Sequence, residues 1–237
     1  MSILGSMVRT LAATATFAVF HSVLASTRAK ELAARLLGGA GPGRRRRDAF
    51  YRPFYNAQAL VTSALLMRYI SGLPDRDLYH VRGAPGVLMR AGQAVSLGCF
   101  AAAAWRVGPL RFLGAPALAA QLARRATVPP PMEAQGPVPR ERGTDMDAAS
   151  SFRLSRHPLN FFGVPLLWLN PKMTAKLATF AAAASVYFYV GSIHEESRLL
   201  ARYGEAYRRY VRSGVPFFFP GPGQPLARIR PTHRSGV

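Results

Sequence analysis

Two short polar clusters in the C-terminal third of this 237-residue chain hold the side chains best suited to chemistry. The first is Ser155-Arg156-His157-Pro158. The second is His194-Glu195-Glu196, followed by Leu199, Tyr203-Gly204, Tyr207, Tyr210 and Val215-Pro216. Between them lies an apolar stretch, Pro158 to Ile193, too long for one membrane crossing and broken at Asn170-Pro171-Lys172, where the proline disfavours a continuous helix. It reads as a helical hairpin, Leu159 to Leu169 followed by Ala175 to Ile193. The two arms return the chain to the side it left, so a guanidinium and an imidazole are expected to face two carboxylates at a membrane boundary. Charges in such a place are expensive and tied to function. This arrangement suits a zwitterionic ligand, the cations taking its carboxylate and an anion its ammonium. Each residue alone has a plainer reading: Arg156 as a snorkelling interfacial arginine, Glu195-Glu196 as helix-opening acids paired with Arg198 or Arg202, and His157 as a helix N-terminal residue. The set and its spacing carry the inference.

The elements that must position these clusters follow from composition. The chain carries 31 Lys+Arg against 11 Asp+Glu, a formal charge of +20, yet 49% of it is apolar and its mean hydropathy is positive. The apolar content excludes disorder, and the single cysteine, Cys99, excludes a disulfide scaffold. Stretches of about 17 to 25 apolar residues suffice to cross a bilayer. Three occur: Ile3 to Ala25, interrupted by Arg9 and His21; Phe54 to Leu73; and Val87 to Trp105, with a small-residue face of Ala91, Gly92, Ala94, Ser96, Gly98 and Ala101 suited to helix packing in lipid. Ile3 to Ala25 also has some marks of a cleavable signal, ending Val23-Leu24-Ala25, but no basic residue precedes Arg9 and His21 breaks its apolar core.

The basic residues sort by side. Arg28 to Arg52, Arg106 to Arg156 and the tail from Arg198 each hold eight, whereas the opposite loops hold only Arg9, Arg76, Arg82, Lys172 and Lys176. That asymmetry predicts an all-α polytopic membrane protein with about five crossings, the N-terminus outside and the C-terminus cytoplasmic, in a bacterial inner membrane. Arg44-Arg45-Arg46-Arg47 then reads as a topology anchor at anionic headgroups rather than a nucleic-acid patch. The partner expected is the lipid bilayer, not nucleic acid. Four regions follow: 1–122, transmembrane helices with a basic loop; 123–154, a proline-rich polar loop; 155–220, the helical hairpin and its following segment; and 221–237, a basic tail.

Arg156-His157-Pro158, the hairpin, Glu195-Glu196, Leu199, Tyr203-Gly204, Tyr207, Tyr210 and Val215-Pro216 followed by Pro220 resemble the C-terminal signature of the isoprenylcysteine carboxyl methyltransferase and phospholipid methyltransferase superfamily. The branch containing NnrU-like proteins and the membrane methanethiol S-methyltransferases is most similar, with Leu159, Trp168, Pro171, Met173-Thr174 and His21-Ser22 suiting it. The likeness is strong over about Ser155 to Pro220 and rests on span layout over Met1 to Leu122. Two positions depart: Asn160 stands where the family has tyrosine, and Phe162 where it has glycine, with Gly163 displaced by one.

The resemblance implies a membrane enzyme that transfers a methyl group from S-adenosyl-L-methionine to a small thiol or other hydrophobic, membrane-accessible acceptor. It implies that Arg156 and His157 hold the cofactor's carboxylate side, that Glu195 and Glu196 hold its ammonium or ribose hydroxyls, and that Tyr203 and Tyr207 wall the adenine. Pro158, Asn160 and Gly163 lie where the family wraps its cofactor. For a thiol acceptor His157 is the expected base, since an imidazole titrates near neutrality. The acceptor is expected to enter laterally between the Val87–Trp105 span and the hairpin. No metal is implied, and no metal-ligand spacing is present; nor is there a glycine-rich loop after a strand, which argues against a soluble Rossmann-type enzyme. Two other classes share features: an NADPH-dependent membrane reductase, through Arg-His-Pro, and a non-catalytic membrane partner in nitrogen-oxide or redox metabolism, through the losses at Asn160 and Phe162.

Overall fold

The computed structural model of the chain describes residues 2–129, 135–137, 146 and 148–219. Most of the proline-rich loop, including Pro130 and Pro131, and Pro220 with the tail 221–237 lie outside the described residues. The helices run in the order α1 (Ile3–Ala25), α2 (Thr27–Leu36), α3 (Arg44–Ser71), α4 (Gly83–Val107), α5 (Pro109–Leu113), α6 (Ala115–Leu122), α7 (Pro158–Trp168) and α8 (Ala175–Arg212), with two short strands, β1 (Asp77–His80) and β2 (Lys172–Thr174).

The distribution of side chains in α1 is inverted relative to a helix in water. Ser6, Thr10 and Thr14, spaced four apart on one face, are buried, whereas Leu4, Val8, Val19 and Val23 are each more than half exposed. Small hydroxyl residues at that spacing let α1 approach α8 closely, and Thr14 Oγ1 satisfies itself by donating to Thr10 O at 2.8 Å. Apolar residues outside and small polar ones inside are what a hydrocarbon solvent selects. Helices α1, α4 and α8 are long and apolar enough to cross a membrane, and the chain is an integral membrane protein.

The second and fourth expected spans turn out differently. Helix α3 begins ten residues before Phe54, at Arg44, and so takes in the arginine run. Those arginines clamp neighbouring helices. Arg45 donates to Gln121 Oε1 at 2.9 Å and to the carbonyls of Arg125 and Ala126 beyond α6, and Arg46 donates to Leu37 O at the end of α2. Cations at helix C-termini satisfy orphan carbonyls and oppose the helix dipole. Helix α7 has 11 residues, about 17 Å at 1.5 Å per residue, short of the ~30 Å hydrocarbon core. Conversely, the second hairpin arm does not end at Ile193: α8 continues to Arg212, with a non-helical break only at Gly204 (φ 51°).

The small-residue face of α4 is narrower than its sequence suggests. Gly92 and Ser96, with Ala103 and Val107 below, face inward, while Ala91, Ala94, Gly98 and Ala101 are exposed. A Cβ on Gly92 would lie 2.7 Å from Leu169 Cδ1, and Gln93 Nε2 donates to Leu166 O at 2.9 Å. The seam between α4 and the first hairpin arm is therefore closely packed at this level.

The two ends of the bundle are closed separately. At one end β1 pairs antiparallel with β2, placing the 72–86 loop against the hairpin turn. There the buried Lys176 Nζ donates to the carbonyls of Ile70 (2.9 Å), Ser71 (3.3 Å) and Leu73, capping α3. At the other end Phe152, Leu159, Leu199, Tyr207, Tyr210 and Val215 pack with Ala103, Val107, Met146 and Ala148. Lys176→Met keeps the chain length but orphans these carbonyls, so the unfolding free energy in detergent should fall by about 1–3 kcal/mol. Asp75, beside Lys176, gives a pH signature. Burial alone would raise its pKa, but the N–H of Lys176, the Thr174 hydroxyl, the N–H of Arg76 and the Lys176 charge together hold it below the usual carboxylate range. Its contribution is thus present above about pH 4 and lost as pH falls through the lower folded value. The thermal-midpoint gap between wild type and Asp75→Asn should be open at neutral pH and close on acidification.

Candidate functional site

The hairpin brings the two C-terminal clusters together. Pro158 opens α7 at its first turn, where a missing N–H costs nothing, and the segment before it is tied to the segment after α8: Arg156 N donates to Pro216 O at 2.8 Å and Tyr210 OH to Phe152 O at 2.6 Å. Arg156 Nε then stands 2.9 Å from Glu196 Oε1, and His157 Nδ1 stands 3.3 Å from Glu195 Oε2. The Arg156 contact is an ion pair without hydrogen-bond alignment at Nε; its guanidinium is oriented instead by Nη1 donating to Val215 O at 2.9 Å and by the Phe217 ring beneath it, 5.5 Å away. His157 has no exposed side-chain surface and Glu195 only 6%. The His157 backbone N–H donates to Ser155 Oγ at 3.1 Å, and its ring meets Phe217 edge-on. The second oxygen of Glu195 accepts from the backbone N–H of Gln135, where Gly136 passes so close to α8 that a Cβ would lie 2.6 Å from Leu199 Cδ2.

Beside this network lies a partly open cavity of about 1150 Å³ between α1, α2, α3, α7 and α8. Of the sequence-predicted residues it is lined by Asn160, Gly163 and Glu195. Asn160 is steadied by Nδ2 donating to Ser192 Oγ at 2.9 Å. Gly163 lets α7 reach α8, since a Cβ there would lie 2.8 Å from Phe188 Cε2. Phe162, in the family's glycine position, is buried and meets Phe161 edge-on. Arg156, His157, Pro158, Glu196, Tyr203 and Tyr207 are not on the cavity wall. The two cations expected to hold a ligand's carboxylate are instead committed to the two glutamates. Tyr203 packs on the adjoining core, and Tyr207 is fully buried.

The remaining walls come from residues to which sequence reasoning gave no ligand role, although it singles out the motifs that hold His21, Ser22 and His194. His21 and Ser22 of α1, Arg28 and Lys30 of α2, Arg47, Arg52 and Tyr55 of α3, and Tyr187, His194 and Arg198 of α8 all line the cavity, and among the described lining residues Glu195 is the one carboxylate. One signal was available: an ionisable residue inside an apolar run, as His21 is, marks function by default. The others depend on helix adjacency that no local pattern reveals.

Comparison with known proteins gives a partial likeness. No family model matches the chain, and no solved structure matches it. Over 84 residues, 33% of its length, it is 34% identical to methanethiol S-methyltransferase 2 of Bradyrhizobium diazoefficiens, covering 32% of that protein. Over 59 residues, 25% of its length, it is 36% identical to methanethiol S-methyltransferase 1 of the same organism, covering 21%. Over 71 residues, 30% of its length, it is 39% identical to the methanethiol S-methyltransferase of Mycobacterium tuberculosis, covering 29%. The match spans less than a third of the length of each of these curated relatives. Over that part, the chain is similar to the methanethiol S-methyltransferases, the branch its hairpin residues resemble.

Proposed function

We propose that this chain is an integral-membrane methyltransferase that uses S-adenosyl-L-methionine to methylate a small thiol or another membrane-accessible acceptor. One observation carries the reading: a buried carboxylate, Glu195, is pinned by His157 and by the Gln135 N–H at the wall of a cavity of about 1150 Å³. That volume exceeds the upper end of single-ligand pockets, about 300–1,000 Å³, and leaves room for a cofactor and an acceptor together. The matched relatives are methyltransferases, which favours this reading over a reductase or a non-catalytic partner.

The residues present fit the cofactor. Glu195 offers an anion to its ammonium or ribose hydroxyls, Asn160 an amide, and Leu159, Phe188 and Phe112 apolar surface. Bound there, S-adenosyl-L-methionine supplies a methyl carbon activated by a sulfonium, so that catalysis rests on alignment and exclusion of water. In this account Arg156 and His157 are positioning residues: Arg156 pairs with Glu196, and His157, bonded to Glu195, fixes the rotamer in which Glu195 meets the cavity. The arginine distribution supports a bacterial cytoplasmic membrane with this end of the bundle on the cytoplasmic side.

Calorimetric titration of the purified full-length protein with S-adenosyl-L-methionine tests the assignment. A hydrogen bond to a charged group contributes about 1.5–3 kcal/mol, so Glu195→Gln should raise Kd roughly 10- to 100-fold. Arg156→Ala, acting through Glu196, should raise it less. Unchanged affinity in Glu195→Gln, or no binding by the wild type, would contradict the reading.

A further inference from the structure

The cavity wall opposite Glu195 holds a second polar cluster that the C-terminal network does not use. His21, near the end of α1, pairs through Nε2 with the hydroxyl of Tyr55 on α3, their ring centroids 4.7 Å apart. Phe17 stacks on the imidazole at 5.5 Å, and Tyr187 of α8 meets it edge-on at 6.4 Å. Tyr187 is itself held by Ser22, whose Oγ donates to its hydroxyl at 3.3 Å. Three helices thus fix this ring, and its other nitrogen, Nδ1, is buried with no hydrogen-bond partner among the described residues. A buried, oriented imidazole nitrogen with no partner is costly to keep unless something else uses it.

We propose that His21 is the general base that takes the proton from a thiol acceptor in this cavity. The inference rests on the methyltransferase reading above and gives the acceptor its chemical class. A cysteine thiol has a pKa near 8.5, and a simple alkyl thiol, without the flanking amides, is a weaker acid still, so it is protonated at neutral pH, whereas the thiolate is the nucleophile. The proposal requires the tautomer in which Nε2–H donates to the Tyr55 hydroxyl, which leaves the lone pair on Nδ1. The S–H bond breaks toward Nδ1, and the sulfur's electron pair forms a bond to the methyl carbon of a sulfonium donor, displacing a neutral thioether. The imidazolium then releases its proton to water, so that thiol plus sulfonium gives two thioethers and one proton.

The surroundings suit an anion at this step. Arg52, held by Nε donating to Phe112 O at 2.9 Å, and Arg198 line the same cavity, with Arg28 of α2 on its wall. Their charge favours a thiolate and opposes a lasting imidazolium, so a proton taken by Nδ1 is passed on to water. The other titratable groups on the cavity wall are Lys30 of α2, Arg47, Tyr51 and Tyr55 of α3, and Tyr187, His194 and Glu195 of α8. The two other histidines near the cavity lack this combination. His157 is fully buried and spends its Nδ1 on Glu195. It also keeps a buried nitrogen, Nε2, without a hydrogen-bond partner among the described residues, but it is not on the cavity wall. His194 lines the wall but is exposed, with no described side chain fixing its ring.

The test separates ionisation from turnover. Carbon-13-labelled methanethiol is bound to the full-length protein without methyl donor, and its methyl shift is followed against pH; the wild type should ionise it at lower pH than His21→Gln does. In turnover with S-adenosyl-L-methionine at neutral pH, His21→Gln should lose about 10²-fold or more on alkyl thiols. It should stay within a few-fold of wild type on thiophenol, which is already largely ionised, and recover on alkyl thiols as pH rises. Tyr55→Phe, which keeps the ring packing, should show a smaller loss of the same kind. Equal losses on both thiols, or an unchanged ionisation midpoint, would overturn the base assignment while leaving methyl transfer intact. Failure of the wild type to methylate thiophenol would overturn the methyl-transfer reading and this inference with it.

Discussion

Much of this protein depends on two polar contacts made across a helical hairpin, the ion pair of Arg156 with Glu196 and the hydrogen bond of His157 with Glu195. Carrying four ionisable groups out of water costs several kcal/mol each, and mutual pairing offsets that cost only when geometry is well defined. The hairpin supplies the geometry. Because α7 leaves from and α8 returns to the same end of the bundle, chain direction brings the two clusters together, and the 215–217 segment and Gln135 hold them there. The network then organises its surroundings. Arg156 bonds the 215–216 segment through backbone and side chain, and Glu195 binds the Gln135 backbone. Removing one partner would leave a buried charge uncompensated, typically about 3–5 kcal/mol, so the pairing is a structural requirement before it is a chemical one. Its chemical consequence is that Glu195 alone among these four reaches the cavity.

The hydrocarbon environment explains the complementary half of the site. In lipid, apolar side chains gain little by facing inward, so helix seams are built from small and hydroxyl residues: Ser6, Thr10 and Thr14 on α1, Gly92 and Ser96 on α4, and Gly163 on α7. Close seams at α1–α8, α4–α7 and α7–α8 leave the residual volume between α1, α2, α3 and the hairpin. Polar residues that face that volume can be held by one another, as His21, Tyr55, Ser22 and Tyr187 are. The bundle is sealed away from this region by Lys176 and the β1–β2 pair at one end, and by the Phe152–Tyr207–Tyr210 core at the other.

What could be read from the sequence follows from the range of the interactions involved. The meeting of residues 156–157 with 195–196 was legible because a hairpin dictates it from chain direction alone. The apolar runs of α1 and α4 were legible because lipid exposure leaves a continuous compositional mark. The start of α3 was not: its arginines look like a loop, yet they bond to the C-termini of α2 and α6 and are helical for that reason. The continuation of α8 past Ile193 was hidden by the change from apolar to charged residues at the expected membrane boundary, although nothing in His194-Glu195-Glu196 breaks a helix. Tyr203 and Tyr207 could not be told from ligand-binding aromatics by spacing, and packing assigns them to the core. The cavity's N-terminal wall was out of reach because it joins residues more than a hundred positions apart, such as Ser22 and Tyr187.

The central claim is that this cavity passes a methyl group from S-adenosyl-L-methionine to a small thiol. Its most direct measurement uses the full-length protein in proteoliposomes with cofactor bearing a fully deuterated methyl group and methanethiol, with the headspace read by mass spectrometry. The account predicts a volatile thioether carrying the intact deuterated methyl, formed only when protein and cofactor are both present. No labelled thioether from protein that retains its fold, or label incorporated only as separate deuterium atoms, would contradict it.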